Sequence, residues 1–159
     1  MAGRTGTFFD DFTLRPEPNG ADTVVQLEWT QRGSDYPFHP SQLSDGTLRF
    51  ICMTTALLQL RRPATMLFDE PELGLHPYAL TVLAGLFKQA AARTQIVVST
   101  QSAALVDHFE PEDVIAVGRK DAASTFRRLD REELSEWLGE YSLGELWRKN
   151  VVEAGPIHG

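Results

Sequence analysis

The chain has 159 residues, 42% of them apolar and 23% charged, with a formal net charge of −7. The length suits one domain with a sizeable core, and the composition argues against disordered, collagen-like and coiled-coil classes. The acidic balance argues against a protein that grips nucleic acid through its overall field, since displacing counterions from phosphates takes Lys and Arg; a local basic patch stays open.

The opening "MAGRTGTFFDDF" lacks the apolar core of a signal peptide, and no segment reaches the roughly 18 continuous apolar residues of a membrane span. The expectation is a cytoplasmic protein without a membrane partner. "RPEPNGAD", Arg15 to Asp22, reads as a turn-laden connector. In "VVQLEWT", Val25, Leu27 and Trp29 alternate with Gln26, Glu28 and Thr30, the pattern of a half-buried strand. "YPF" reads as an edge strand returning beside it, because Pro37 has no donor for a central ladder.

"TLRFICMTTALLQL", Thr47 to Leu60, is apolar nearly all round and predicts a buried helix stopped by Pro63. It holds Cys52, the single cysteine, which leaves no partner for an internal disulfide, excludes a cysteine-cluster metal site and suits a reducing compartment. Packing is its expected role. "ATMLF" fits a strand covered on both faces, as in a parallel sheet. Pro77 suits the first turn of a helix over Tyr78 to Ala92, with Val82, Leu83, Leu86, Phe87 and Ala90 on one side. "QIVVST" is a second buried strand, and Ser102 can cap a short helix in "AALVDHF". "DVIAVG" and "STFRRL" predict two strands around the turn "RKDAA". Asp130 with Glu133, and Ser142 with Glu145, match capping boxes for two closing helices. The sum is an α/β fold with a largely parallel sheet flanked by helices, an N-terminal β-hairpin, and a C-terminal hairpin with short helices.

Three features carry chemistry. Asp69 sits where "ATMLF" ends, and in parallel sheets ligands bind outside the carboxyl ends of the strands. A carboxylate there can hold Mg²⁺ against phosphate oxygens, and a second one at Glu70 can orient or deprotonate an attacking water. The plainer reading is a solvated acidic turn at the positive end of a helix. In "QLSDGT", Gln42 to Thr47, Ser44 is a good N-cap and Gly46 allows close backbone approach, so free N–H groups converge on an anion; Asp45 must then point away from it. An ordinary capped helix is the alternative. Gln101 follows the end of "QIVVST" and can donate its amide to a phosphate oxygen or accept from water; alone, it reads as surface hydrogen bonding.

In order, "LSDGT", "LFDE", "LGLHP" and "STQS" resemble the ABC-class ATPases of the RecF/SMC type, specifically the AAA-like bacterial group with a short "SDGT" signature. The closing "LDREELSEWLGEYSLGELW" is similar too, so the likeness spans most of Ser41 to Trp147. The resemblance implies a P-loop NTPase-like carboxyl-terminal lobe over residues 41–159, preceded by a partial β segment and connector over 1–40. It implies an ATPase with ATP and Mg²⁺ as its ligands. Ser44, Asp45, Gly46 and Thr47 would form the signature that meets the γ-phosphate held by an opposite subunit. Asp69 would bind Mg²⁺ and Glu70 would be the general base. Glu72, Leu73, Gly74, Leu75 and His76 would form a D-loop along a dimer interface. The family's switch residue is usually His; Gln101 keeps a donor there and removes the imidazole.

Walker A needs a Gly-Lys pair after a glycine-rich loop. Lysine occurs only at Lys88, Lys120 and Lys149, and none follows a glycine. The expectation is therefore the carboxyl-terminal lobe of a larger ATPase, a fragment or half of a split gene. It would be inactive alone and completed by a homodimer or a Walker A-bearing partner lobe, with DNA or a nuclease as partner by analogy only. Two other classes stay open. One is a metal-dependent nuclease using Asp69, Glu70 and Glu72. The other is a non-catalytic dimerisation or partner-docking module.

Overall fold

The computed structural model describes residues 9–20, 22–152 and 155–156. The chain divides into two compact units, 1–48 and 49–159.

In the first unit, β1 (Phe9–Asn19) pairs antiparallel with β2 (Asp22–Gln31) and reverses after Gly20, whose φ of +64° an L side chain rarely adopts. The expected connector from Arg15 is thus mostly strand. Pro16 and Pro18 lie two residues apart, opposite Val25 and Thr23, so their missing donors fall on one edge. Among the described residues β1 has no second strand partner, and an edge strand tolerates proline there. Phe38 does return beside β2, but only as a single bridge to Trp29 with bonds of 3.0 and 2.8 Å. Trp29 is buried and stacks on Phe38 with ring centroids 4.7 Å apart.

Helix α1 runs Asp45–Leu58. It starts earlier than the apolar run because Ser44 caps it. Its apolar surface is less covered than the sequence suggests: Leu57 is buried, Leu58 is half exposed and Cys52 is exposed, so the packing role expected of Cys52 is overturned.

The second unit is built on one β-α-β crossover. β3 (Thr65–Asp69) and β4 (Gln95–Ser99) are parallel and in register, joined by α2 (Pro77–Ala91). Met66, Phe68, Ile96 and Val98 pack with Leu57, Leu83 and Phe87, and the Phe68 and Phe87 rings meet edge to face at 5.0 Å. The α2 face differs by a fraction of a turn from the expected one: Leu80 and Ala84 are buried while Val82 is 37% exposed. The strands are not covered on both faces either, for Leu67 is 77% and Val97 43% exposed.

Helix α3 (Ala103–Val106) leads through a 3-10 turn at Pro111–Asp113 to a hairpin of β5 (Ile115–Lys120) and β6 (Ala123–Arg128). Asp121 and Ala122 turn it with φ of 48° and 64°, both positive as a two-residue hairpin loop requires. Helices α4 (Ser135–Leu138) and α5 (Leu143–Arg148) follow, and β7 (Gly155–Pro156) lies parallel to β5. A second core gathers Ala116, Leu129, Leu134, Leu143, Leu146 and Val152. The Ser142–Glu145 capping box forms. The Asp130–Glu133 box does not: Asp130 Oδ1 accepts from Glu132 N at 2.7 Å, Glu133 pairs with Arg127 at 3.2 Å, and α4 starts at Ser135 without a side-chain cap.

The architecture is α/β, but the expected largely parallel sheet is corrected. Among the described residues there are three small sheets, with β3–β4 and β5–β7 parallel and β1–β2 and β5–β6 antiparallel. The reason is connection length. A parallel pair needs a crossover of a dozen or more residues, as the segments holding α2 and holding β6, α4 and α5 supply, whereas short turns join the hairpins.

Candidate functional site

Because Asp69 is paired with Ser99 in the parallel register, β3 and β4 end at one level and their outgoing loops lie side by side. Asp69 is exposed, and the Ser99 hydroxyl donates to its Oδ1. Glu70 follows with φ of 43°, a left-handed backbone that a non-glycine residue adopts at a cost on the order of 1 kcal/mol. Its N–H donates to the Ser99 carbonyl at 2.9 Å, which continues the β3–β4 pairing past the strand end. Gln101 Nε2 donates to Glu70 Oε1 at 3.0 Å. The structure thus brings together Asp69 and Glu70 with Gln101, which lies 31 positions beyond Glu70 in the sequence, across a loop, a helix and a strand.

Glu72 turns inward. Its Oε1 accepts from Thr100 Oγ1 at 2.5 Å and from Gln101 N at 3.3 Å. The rest of that loop is divided in its duties. Leu75 packs on the β3–β4 core, His76 Nδ1 accepts from Tyr78 N at 3.2 Å as the N-cap of α2, and Pro77 fills its first turn. Leu73 and Gly74 are exposed, with Gly74 at φ of 77°. Sequence reasoning noted Ser99 and Thr100 only as the end of a strand; their hydroxyl contacts depend on the register of two distant segments and leave no local signal.

A cavity of about 270 Å³ adjoins the acids, lined by Arg49, Cys52, Met53, Leu67, Phe68, Asp69, Glu70 and Pro71. Arg49 supplies a cation that the sequence reading did not single out. In the first unit, Ser44 Oγ accepts from Thr47 N at 3.2 Å and contacts Thr47 Oγ1 at 2.8 Å, while Ser44 O accepts from Leu48 N at 2.9 Å. Ser44 is therefore the N-cap of α1, Asp45 is exposed and Gly46 is buried.

As for a metal, an exposed carboxylate beside a hydroxyl at a strand end is an all-oxygen donor set of the kind Mg²⁺ takes, since that ion keeps several waters and uses one or two carboxylates. Among the described residues, no group of three or more His, Cys, Asp or Glu could hold a metal ion by itself. Among the same residues no helix is long and apolar enough to cross a membrane.

Comparison with known structures shows that the α/β fold resembles that of SMC ATPase heads. One similar structure is an SMC ATPase studied for ATP-driven dimerization and DNA-stimulated activation, with a TM-score of 0.60 and 19% identity over 81% of this chain and 80% of that one. An Smc head bound to the C-winged helix domain of ScpA gives 0.63 and 18% identity over 79% of this chain. A Pyrococcus furiosus Smc head with an extended coiled coil, bound to the C-terminal domain of ScpA, gives 0.58 and 21% over 81%. This chain spans 39% and 33% of those last two. A search of curated proteins returns no match. Residues 4–107 match the family described as "AAA domain, putative AbiEii toxin, Type IV TA system", and the chain belongs to that AAA domain family.

Proposed function

We propose that this chain is the lobe of an ABC-type ATPase of the RecF/SMC kind that supplies signature, Walker B, D-loop and switch loop to ATP hydrolysis. The observation that carries the reading is the contact between Gln101 Nε2 and Glu70 Oε1, 3.0 Å, made at the carboxyl ends of two parallel strands beside an exposed Asp69.

Asp69 would hold Mg²⁺, and the ion would supply positive charge that offsets the negative charge of the phosphates. Glu70 is the general base, accepting the proton of the attacking water at a carboxylate oxygen. Its left-handed backbone turns the side chain out of the strand alternation, and the Gln101 amide fixes one of its oxygens so that the other is free for water. Gln101 cannot titrate, so it orients and does not exchange protons. Ser44, Asp45, Gly46 and Thr47 act as the signature toward a nucleotide held by another subunit, where the α1 N-terminus favours an anion. Leu73 and Gly74, the outward-facing part of the D-loop, are the residues suited to an interface.

The missing Gly-Lys pair sets the expected behaviour. The purified chain turns over Mg·ATP only at background, and turnover appears when a lobe bearing a glycine-rich Gly-Lys loop is supplied, mixed or fused. Glu70→Gln then lowers kcat by about 10²–10⁴. A restored enzyme that keeps its full rate with Glu70→Gln refutes the reading, as does a chain that hydrolyses ATP alone at a rate Glu70→Gln abolishes. The exposed apolar face of Leu67 and Val97 supports a covering partner, whether that lobe or a second copy. A docking module without catalysis would bind such a lobe and leave its turnover unchanged. The nuclease reading loses support from Glu72, whose Oε1 is held by Thr100 and Gln101 rather than turned toward Asp69 and Glu70.

A further inference from the structure

We infer that Glu72 is a positioning residue: it clamps the loop that carries Gln101 and so sets the amide that faces Glu70. This rests on the reading of Gln101 as the group that orients the general base and its water.

The clamp has two jaws. On its own loop, Glu72 is fixed relative to Glu70 by a tight turn, in which Leu73 N donates to Glu70 O at 3.2 Å and Leu75 N to Glu72 O at 3.0 Å. Across the gap, one carboxylate oxygen takes both donors that flank the Gln101 backbone, the Thr100 hydroxyl at 2.5 Å and the Gln101 N–H at 3.3 Å. The Thr100 hydroxyl oxygen in turn accepts from Ser102 N at 2.9 Å, and Ser102 Oγ caps α3 by accepting from Leu105 N at 3.2 Å. The turn after β3 is thereby joined through one carboxylate to the helix after β4. Gln101 lies in the middle, held by its main chain to Glu72 and by its side chain to Glu70.

Hydrogen bonds to a charged acceptor are roughly twice as strong as neutral ones, so a carboxylate suits a hinge point. The other oxygen, Oε2, is buried and has no hydrogen-bond partner among the described residues. The hydrogen bonds that the carboxylate makes run to the Thr100–Gln101 segment. Residue 72 therefore faces the switch loop of its own chain, which a role confined to an interface does not require.

Hydrogen exchange and side-chain amide NMR on the full chain test this without any need for turnover. In the wild type, the Gln101 backbone amide is protected at least about tenfold over an unstructured chain, and one Gln101 carboxamide proton is shifted from its position in a free glutamine side chain. Glu72→Ala accelerates that exchange about tenfold or more, the loss expected for a bond to a charged group, and returns that carboxamide proton to the free position. Amides of Phe68 and Val98 in the strands stay as slow as before. Glu72→Gln, which keeps an acceptor oxygen at the same reach, stays within about threefold of wild type. The inference is overturned if Glu72→Ala leaves Gln101 unchanged or speeds β3 and β4 equally, or if Glu72→Gln behaves as Glu72→Ala. Should Glu72→Ala not fold, an unprotected Gln101 amide in the wild type overturns it. These readouts decide the clamp; the Glu70→Gln turnover experiment decides the ATPase reading separately.

Discussion

Replacing Gly144 by alanine tests whether the helix that follows the Gln101 loop is held as described. Gly144 is buried near the start of α5, where its N–H donates to Asp107 Oδ1 at 2.6 Å. A Cβ there would collide with the Ala103 backbone carbonyl and lie 2.7 Å from Asp107 Oδ1. The Asp107 carboxylate can swing aside, but the Ala103 carbonyl is backbone and cannot, so α3 and α5 must move apart. Overpacking of this kind costs about 1–3 kcal/mol. Stretching the carboxylate hydrogen bond adds about 1–2 kcal/mol, and alanine's better helix propensity returns about 1 kcal/mol. The net loss is about 1–4 kcal/mol. With a urea slope of about 2 kcal/mol per molar, the unfolding midpoint followed by far-UV circular dichroism falls by about 0.5–2 M. Gly85→Ala is the internal control: Gly85 is exposed within α2 and a Cβ there meets nothing within 4 Å, so the midpoint rises by a few tenths molar. An unchanged midpoint for Gly144→Ala, or equal losses at both glycines, refutes the packing of α3 on α5.

Three further outcomes follow from the same contacts. Ser102→Ala removes the N-cap of α3 and costs about 1 kcal/mol in urea unfolding, with faster amide exchange confined to Leu105 and its neighbours. Phe87→Ala, at a side chain 2% exposed against Phe68, costs about 3–5 kcal/mol by the same assay. Leu67→Ser, on the open face of β3, changes the unfolding free energy of the isolated chain by no more than about 0.5 kcal/mol and weakens association with a covering lobe, measured by sedimentation.

Period and punctuation made most of the elements legible. The alternation of Val25, Leu27 and Trp29 predicts β2, Pro77 predicts the start of α2, and the Ser142–Glu145 pair predicts α5, because each signal acts within one or two turns of chain. The same reasoning fails at "RPEPNG", where proline and glycine punctuate, because strand tolerance of proline depends on whether an edge is free, which is a property of the sheet. It fails at Leu67 and Cys52 for a related reason. An apolar run states that burial is favourable, while which face is buried depends on the element packed against it.

For the site, the sequence by itself determined which chemistry-bearing side chains end two apolar strands: Asp69 and Glu70 on one, Ser99, Thr100 and Gln101 on the other. Only the tertiary structure decided their partners. The in-register parallel pairing sets Asp69 opposite Ser99, and the positive φ at Glu70 turns its carboxylate to the Gln101 amide, while Glu72 swings to the neighbouring loop. Strand ends are written locally in apolar period, but hydrogen bonds across 28 to 31 residues exist only once a crossover has fixed the register.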